Sequence, residues 1–324
     1  MTRQEIREIA SRRMEERRSQ ALEQAERRRG EIETKLPHVA EMRRMQALTA
    51  SELTANMLSN ASPAEKQANF EKIRKNNLEC SALITKAITD AGYPADYDKV
   101  KYRCELCNDT GYTLYGMCDC FRRLISRVAA DELNRTANMP NADFGHFDVE
   151  LYRGVSKNGT DAYKTMKKVL ANCIAYADSF DPKSSESLLF IGSPGLGKTH
   201  LSIAIARKVI EKGYSVVYGS LLDRLRAIED EHFGRAQGDT LSILLDADLL
   251  ILDDLGTEPS GQFYESTLYN IINTRINTGK PVIISTNLSV AQLSSTYNER
   301  LISRMMFAYK TVAFVGDDIR RKMR

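Results

Sequence analysis

The chain has 324 residues, of which 42% are hydrophobic and 27% are charged, and its formal net charge is +3. These values are ordinary for a globular protein with room for two domains, and the charge is too small to predict nucleic-acid binding by the whole surface. No apolar run reaches the roughly 18 residues of a membrane span, and the N-terminus lacks the apolar core of a secretory signal. We therefore expect a cytoplasmic protein with no membrane partner.

The first part of the chain is predicted to be helical. Residues 1–48 are dense in Glu and Arg at spacings of three and four, for example Glu23 and Arg27, which favours an exposed helix with a break at Pro37. Residues 50–92 also carry apolar positions at helical spacing. A solvated helical face and a partner-binding helix both fit residues 1–48.

Four cysteines follow within 17 residues, in the pattern C-x2-C-x10-C-x-C. Four thiolates satisfy a tetrahedral Zn²⁺ with no open position, so the cluster predicts a structural zinc site. Gly111 and Gly116 allow the chain to turn back between the two ligand pairs. An iron–sulfur cluster and unliganded thiols are the alternatives. The predicted ligands are Cys104, Cys107, Cys118 and Cys120.

The pattern of apolar residues changes after the cysteine cluster. A helix is predicted at 121–134, and the next stretch has turn residues but no clean period, which is typical of a linker. From about residue 160, helices alternate with short apolar strands, as in an α/β domain with a parallel sheet. The predicted organisation is a helical, zinc-binding N-terminal region at 1–136, a linker at 137–159 and an α/β domain at 160–324.

Residues 187–210 contain a strand, a glycine-rich loop and a helix in succession, and the loop matches G-x-x-x-x-G-K-[ST] in full. Backbone N–H groups of such a loop surround phosphates, and the start of the helix adds partial positive charge. Lys198 then supplies a charge to the β- and γ-phosphates, and Thr199 ligates Mg²⁺. The predicted nucleotide-binding residues are Gly192, Ser193, Pro194, Gly195, Leu196, Gly197, Lys198, Thr199 and His200.

Residues 220–239 form a basic helical stretch with one aromatic residue. Basic and aromatic side chains together suit single-stranded DNA, although such a helix is also commonly just an exposed face. The candidate DNA contacts are Arg224, Arg226, Phe233 and Arg235.

Two further strands end in polar residues. The run LLILDDLG contains two adjacent carboxylates. Asp253 is predicted to bind Mg²⁺, directly or through water, and Asp254 is placed to orient or deprotonate the attacking water. The run VIISTN ends in the polar residues Ser285, Thr286 and Asn287, and a polar residue at this strand end is placed to hold the water or the γ-phosphate. Beyond it, Arg300 and Arg304 lie one helical turn apart, where either one is suited to reach a neighbouring subunit's γ-phosphate.

These motifs, in this order, resemble the AAA+ ATPases, and among them the bacterial replicative-helicase loaders of the DnaC/DnaI family and the related IstB transposition ATPases. The resemblance covers about residues 140–324 and implies an ATP- and Mg²⁺-dependent ATPase. It also implies that Asn287 is the sensor-1 residue, Arg304 the arginine finger with Arg300 second, and Arg320 the sensor-2 arginine. The DDLG form departs from the Asp-Glu pair of most AAA+ proteins. The sequence ends soon after a last predicted strand, AFVGD, so we expect no helical lid domain.

The resemblance extends to the cysteine segment, which is similar to the zinc-binding region of DnaI-type loaders and is usually missing from IstB-type proteins. We therefore expect an ATP-dependent loader that holds a hexameric replicative helicase, binds single-stranded DNA and self-assembles through its AAA+ domain. Its ATPase activity is expected to be slow and to depend on assembly. A transposition helper ATPase and a nucleotide-gated DNA-binding adaptor with slow ATPase activity are the alternatives.

Overall fold

A computed structural model of the chain describes residues 3–136, 142–157 and 159–321. It divides into two compact units, Arg12–Cys118 and Asp119–Arg324 with Met1–Ser11, which we call the helical unit and the sheet unit. The contact boundary thus falls at residue 118 and not at the predicted residue 136. Residues 1–2, 137–141, 158 and 322–324 of the predicted domains and linker lie outside the described residues. Within the described residues, no helix combines the length and apolar content needed to cross a membrane.

Three long helices, α1 (Arg3–Lys35), α2 (Pro37–Leu58) and α3 (Pro63–Asp90), contribute most of the helical unit. Proline stands at the start of α2 and α3, where its missing N–H costs nothing, and Ser62 and Glu65 form a capping box before α3. The predicted break at Pro37 is therefore confirmed. A small core joins the ends of these helices through Ile32, Val39, Ile84 and Ile88.

The segment after α3 folds into a short hairpin of β1 (Tyr112–Thr113) and β2 (Gly116–Met117), and α4 (Asp119–Thr136) follows. Gly111 and Gly116 have φ angles of 81° and 113°, in the region that favours glycine. The prediction that these glycines turn the chain is confirmed. The helix predicted at 121–134 is also confirmed, since it lies within α4.

The sheet unit is an α/β structure with a five-stranded parallel sheet. This confirms the predicted fold class. A separate hairpin, β3 (Ser156–Lys157) and β4 (Thr160–Asp161), precedes the sheet. The remaining elements, in chain order, are α5 (Ala162–Asp178), β5 (Ser187–Ile191), α6 (Lys198–Glu211), β6 (Val216–Ser220), α7 (Leu221–His232), α8 (Thr240–Asp246), β7 (Leu249–Leu255), α9 (Gln262–Asn277), β8 (Val282–Thr286), α10 (Val290–Thr296), α11 (Glu299–Ala308) and β9 (Tyr309–Ala313). The strands of the five-stranded sheet lie in the order β6-β7-β8-β5-β9.

Helices cover both faces of the sheet, so its strands are apolar on both sides. In β5, Leu188 and Phe190 join one hydrophobic cluster, while Leu189 between them joins the other. The carboxyl ends of β5, β7 and β8 lie at one edge of the sheet, where ligands bind in open α/β folds. This edge carries the loop after Ile191, the Asp253–Asp254 pair and Asn287.

Two predictions about this unit are wrong. The described part of the predicted linker includes Ala142, Phe147 and Tyr152, which are buried in the core cluster of the sheet unit. The sequence did not predict this packing, because Tyr152 lies in a short 3₁₀ turn (Val149–Tyr152), which leaves no periodic pattern of apolar residues. The last strand is Tyr309–Ala313 and not AFVGD. The Phe314 N–H still donates to the Ile191 carbonyl oxygen at 2.7 Å, but the chain turns away beyond it, where Gly316 adopts a φ of 149°.

Candidate nucleotide site

The loop between β5 and α6 has the shape that a phosphate-binding loop requires. Gly195 and Gly197 adopt φ angles of 75° and 78°. A Cβ on Gly195 would lie 1.8 Å from the Asp318 carboxylate, and one on Gly197 would lie 2.6 Å from the Phe147 ring. Both positions therefore favour glycine for its backbone conformation, and Gly197 also for space beside the buried Phe147 ring.

Lys198 begins α6 with a side chain that is only 5% exposed. Its Nζ donates to the carbonyl oxygens of Gly192 (2.6 Å) and Ser193 (3.0 Å) and to Asn287 Oδ1 (2.7 Å). Burial lowers the pKa of Lys198, while the nearby carboxylates of Asp254 and Asp253 raise it. The arrangement holds a cation at the mouth of the loop, with neutral acceptors that an anionic ligand can replace.

Asp253 lies at the end of β7 and is 5% exposed. Thr199 Oγ1 donates to Asp253 Oδ2 at 2.8 Å, so the two predicted Mg²⁺ ligands are adjacent. Two other hydroxyl groups also donate to this carboxylate, from Ser285 to Oδ1 and from Tyr218 to Oδ2 at 3.2 Å. A hard oxygen donor pair beside a phosphate loop suits Mg²⁺.

Asp254 is half-buried, with an unusual φ of 60° for a residue other than glycine. Its N–H donates to Ser285 Oγ at 3.1 Å, and its Oδ1 lies 3.5 Å from Asn287 Nδ2. The strand pairing between β7 and β8 is irregular here, between Leu252 and Leu255. Burial and then the charge of Asp253 raise the pKa of Asp254. Left-handed backbone and a raised pKa are both common at catalytic carboxylates.

Lys198, Thr199, Asp254 and Asn287 line one cavity of about 400 Å³, whereas the buried Asp253 lies behind Thr199 and is not among the lining residues. The cavity is lined by Pro194, Gly195, Leu196, Gly197, Lys198, Thr199, His200, Asp254, Asn287, Ile319 and Arg320. Arg320 reaches it from the C-terminal segment and forms a two-point ion pair with Asp318, at 2.9 and 2.8 Å. His200 Nε2 lies 2.7 Å from the Asp143 carbonyl oxygen, which fixes one side of the cavity to the segment before α5.

The two arginines of α11 are not among the residues that line this cavity. Arg300 and Arg304 are both exposed, and the Arg304 guanidinium lies 6.0 Å from the centre of the Tyr269 ring. Within a single chain, neither arginine joins the site.

The candidate DNA contacts separate into two groups. Arg224 is 5% exposed and donates to the Tyr218 carbonyl oxygen at 2.6 Å, so the prediction of a DNA contact at Arg224 is wrong. Arg226, Phe233 and Arg235 are exposed, and the Arg235 guanidinium lies 5.3 Å from the Phe233 ring centre. Arg235 also pairs with Asp230 at 2.7 Å.

Phe233 belongs to an aromatic cluster that the sequence did not reveal. His232 and Phe263 lie 5.0 and 5.9 Å from Phe233 between ring centres, and Phe233 is 59% exposed. Phe263 comes from α9, thirty residues away along the chain, and no local spacing indicates the contact.

The four predicted metal ligands lie together. The Sγ atoms of Cys104, Cys107, Cys118 and Cys120 are all within 4.8 Å of one another, and that of Cys104 is 3.8 Å from that of Cys118. Four sulfurs at about 2.3 Å from a tetrahedral Zn²⁺ would be about 3.8 Å apart, so the cluster fits this ion.

Asp109 supports the cysteine cluster, although it was not among the predicted residues of this site. It is 2% exposed, has a φ of 53°, and accepts the N–H groups of Arg103 (2.8 Å) and Cys104 (3.0 Å). Its place two residues after the second cysteine was the only available signal. The remaining two cysteines differ in burial, since Cys173 is buried in the sheet unit and Cys80 packs at the edge of the helical core.

Comparison with known proteins places this site in a family. The family model described as IstB-like ATP binding protein matches residues 160–324. The replicative helicase loader DnaC of Escherichia coli (strain K12) is 28% identical over 138 residues, which are 42% of this chain and 56% of that protein. DnaC of Buchnera aphidicola subsp. Baizongia pistaciae (strain Bp) is 28% identical over 179 residues, 54% of this chain and 72% of that protein.

Solved structures give related matches. A crystal structure of the DnaC helicase loader aligns with a TM-score of 0.46 and 26% identity, over 53% of this chain and 96% of that one. The crystal structure of DnaI aligns with a TM-score of 0.42 and 19% identity, over 54% of this chain and 94% of that one. The chain spans about half the length of the Escherichia coli relative, 56%.

Proposed function

The chain belongs to the family of IstB-like ATP binding proteins, and we propose that it is an ATP-dependent loader of the replicative DNA helicase in the initiation of DNA replication. In this proposal the sheet unit binds and hydrolyses ATP with Mg²⁺ and binds single-stranded DNA. The helical unit, with its cysteine cluster, holds a hexameric helicase.

Nucleotide binding is supported by the contacts around Lys198. The triphosphate would replace the three oxygen acceptors of Lys198 Nζ and receive the backbone N–H groups of the loop. Mg²⁺ would bind Thr199 Oγ1 and Asp253, which already lie 2.8 Å apart.

Hydrolysis is assigned to the groups at the ends of β7 and β8. Asp254, with its raised pKa, would take a proton from the attacking water, and Asn287 would orient that water or the γ-phosphate. Arg320 would leave Asp318 for the phosphates, because an ion pair at this exposed position is weak. Arg304, with Arg300 second, would complete the site of a neighbouring copy, which makes hydrolysis depend on assembly.

Single-stranded DNA is assigned to the exposed aromatic cluster at the end of α7. A base would stack on Phe233, which is 59% exposed, while Arg226 and Arg235 would contact phosphates. Arg235 must give up its pair with Asp230 for this contact, so the affinity of a single copy would be low and would fall with salt.

Helicase binding is assigned to an apolar groove between α2 and α3. The groove has a volume of about 240 Å³ and is lined by Leu53, Phe70, Ile73, Arg74, Asn77, Leu78 and Ser81. Leu78 is 62% exposed and Phe70 is 39% exposed, and exposed apolar surface of this kind marks protein interaction sites.

The observation that carries the loader proposal is the helical unit with its four clustered cysteines, which accompanies an ATPase domain similar to replicative helicase loaders. The family description favours a second candidate, a transposition helper ATPase like IstB. The third candidate is a nucleotide-gated DNA-binding adaptor whose ATPase activity is slow.

A binding experiment separates the three candidates. The immobilised full chain is offered purified hexameric replicative helicase or purified transposase, each with ATP and Mg²⁺. We expect retention of the helicase, at least tenfold weaker for Leu78→Glu and unchanged for Val290→Glu, a matched exposed position in the sheet unit that is 46% exposed. Retention of the transposase alone would replace the loader with the transposition helper, and retention of neither would favour the adaptor.

A further inference from the structure

The Asp253 carboxylate is held by three hydroxyl groups, one of which belongs to no nucleotide-binding motif. Thr199 and Ser285 come from the phosphate loop region and from β8. The third hydroxyl is that of Tyr218 on β6, which donates to Oδ2 at 3.2 Å. Oδ2 therefore accepts two hydrogen bonds from hydroxyl groups, and Oδ1 accepts one.

Strand register explains how Tyr218 reaches this position. Tyr218 is paired with Ile251 and Ser220 with Asp253 across the parallel strands β6 and β7. Residues two apart on a strand share a face of the sheet, so Tyr218 and Asp253 project to the same side, one diagonal step apart. A tyrosine is long enough to span that step, and its hydroxyl meets the carboxylate.

Side chains from two helices, Asn134 of α4 and Arg224 of α7, hold the backbone of Tyr218. The Asn134 side chain accepts the Tyr218 N–H at 2.9 Å and donates to the Val216 carbonyl oxygen at 2.6 Å, as an adjacent strand would. Arg224 donates to the Tyr218 carbonyl oxygen at 2.6 Å. The phenol is thus aimed by a rigid support.

The Tyr218 side chain is 7% exposed and packs in the core cluster around β5 and α6. An ionised carboxylate only accepts hydrogen bonds, so the phenol hydroxyl acts as the donor toward Asp253 Oδ2.

We propose that Tyr218 is a positioning residue for the Mg²⁺ ligand Asp253, an inference that rests on the proposed function of the sheet unit. The Tyr218 hydroxyl fixes the plane and rotamer of the carboxylate before the metal arrives. Thr199 Oγ1 would then be able to offer a lone pair to Mg²⁺ while its hydroxyl group still donates to Asp253 Oδ2. Loss of the phenol leaves the carboxylate less ordered and lowers the affinity for Mg²⁺, with little effect on nucleotide binding in its absence.

The test is a Mg²⁺ titration of full-length protein with a fluorescent, non-hydrolysable ATP analogue. The variant is Tyr218→Phe, and the matched control is Tyr176→Phe. Tyr176 also lies in the sheet unit, and its hydroxyl donates to the Glu186 carbonyl oxygen at 3.0 Å, outside the site. Analogue affinity is measured in EDTA and at each Mg²⁺ concentration, and thermal unfolding of each variant is recorded.

We expect Tyr218→Phe to raise the Mg²⁺ concentration at half-saturation by about tenfold, a change of about 1.4 kcal/mol. Analogue affinity in EDTA should change less than twofold, as should kcat with ATP at saturating Mg²⁺, measured separately as phosphate release. Tyr176→Phe should match the wild type in all three measurements. An unchanged Mg²⁺ midpoint in Tyr218→Phe, or an equal shift in Tyr176→Phe, would overturn the positioning role alone. A wild-type protein that binds the analogue without Mg²⁺ dependence would overturn the proposed nucleotide site as well.

Discussion

At the scale of single residues, Lys198 and Lys208 offer a direct comparison of two lysines on the same helix. Lys198 is buried at the mouth of the phosphate loop, whereas Lys208 is 47% exposed and lies 3.8 Å from Glu211. We expect Lys198→Ala to weaken ATP binding by about 2–5 kcal/mol, the usual effect of removing one partner of a buried charge pair. Lys208→Ala should leave it unchanged, and calorimetric titration with ATP and Mg²⁺ measures both. Equal affinities for the two variants would contradict the site.

Asp254→Asn tests the proposed base with little disturbance of the backbone, because asparagine tolerates the left-handed φ of 60°. A general base contributes about 10²–10⁴-fold, so we expect turnover to fall by at least about a hundredfold. Nucleotide binding should persist or tighten, since a negative charge leaves the cavity. Wild-type turnover by this variant, measured as phosphate release, would remove Asp254 from the mechanism.

The same residue sets a pH dependence whose sign follows from its surroundings. Burial and the charge of Asp253 raise the pKa of Asp254 above its ordinary value. A base acts only when deprotonated, so wild-type turnover should fall as the pH drops through this raised pKa and recover above it. The slow residual turnover of Asp254→Asn should not show this fall at low pH.

Residue identities at the site were largely predictable where a motif names them. Lys198, Thr199, Asp253 and Asn287 follow from the loop and from strand ends, and the structure brings them together. Tyr218 and Arg224 were beyond sequence reasoning, because their roles depend on strand register and on burial. One arginine in an apparently basic helix points inward, and no local pattern distinguishes it from Arg226.

At the scale of elements, the cysteine segment is a small module with little core, and such modules draw folding energy from their metal. We expect one zinc per chain in protein purified without added metal. Chelation should unfold this segment while ATP binding in the sheet unit persists. Elemental analysis and ATP titration before and after chelation measure both effects.

A matched pair of variants sharpens the zinc test. Cys107→Ser removes a ligand and should abolish stoichiometric zinc, whereas Cys80→Ser removes a cysteine outside the cluster and should retain it. A colourless protein without zinc would support unliganded thiols, and a brown sample containing iron would support an iron–sulfur cluster.

Long elements with a regular period were predictable, and irregular ones were not. The break at Pro37 and helix α4 emerged from spacing and turn chemistry. The segment 142–157 packs into the core without any regular period, so its buried Tyr152 was indistinguishable from a linker residue. The role of Arg275 was equally unpredictable, because it depends on tertiary structure alone. Its fully buried guanidinium donates to three carbonyl oxygens, those of Leu244, Ala247 and Pro281.

In the whole molecule, Arg300 and Arg304 do not line the cavity of their own chain. The proposed function has Arg304 act in the site of a neighbouring copy. We expect Arg304→Ala and Lys198→Ala proteins to be nearly inactive alone. A mixture should recover part of the ATPase activity, since some assembled sites combine an intact cavity with an intact arginine. Phosphate release across mixing ratios measures this. Absence of recovery in every mixture, with both variants folded and assembled, would contradict action between copies.

ATP-dependent loading of a helicase can be tested on closed circular single-stranded DNA. Such a circle has no free end, so a ring-shaped helicase must be opened to encircle it. Purified replicative helicase is incubated with the circle, ATP and the wild-type, Lys198→Ala or Lys208→Ala protein, and helicase on DNA is quantified after gel filtration in high salt. We expect loading with the wild-type and Lys208→Ala proteins and none with Lys198→Ala or without ATP. Equal amounts of helicase on the circle with and without this protein would contradict the account.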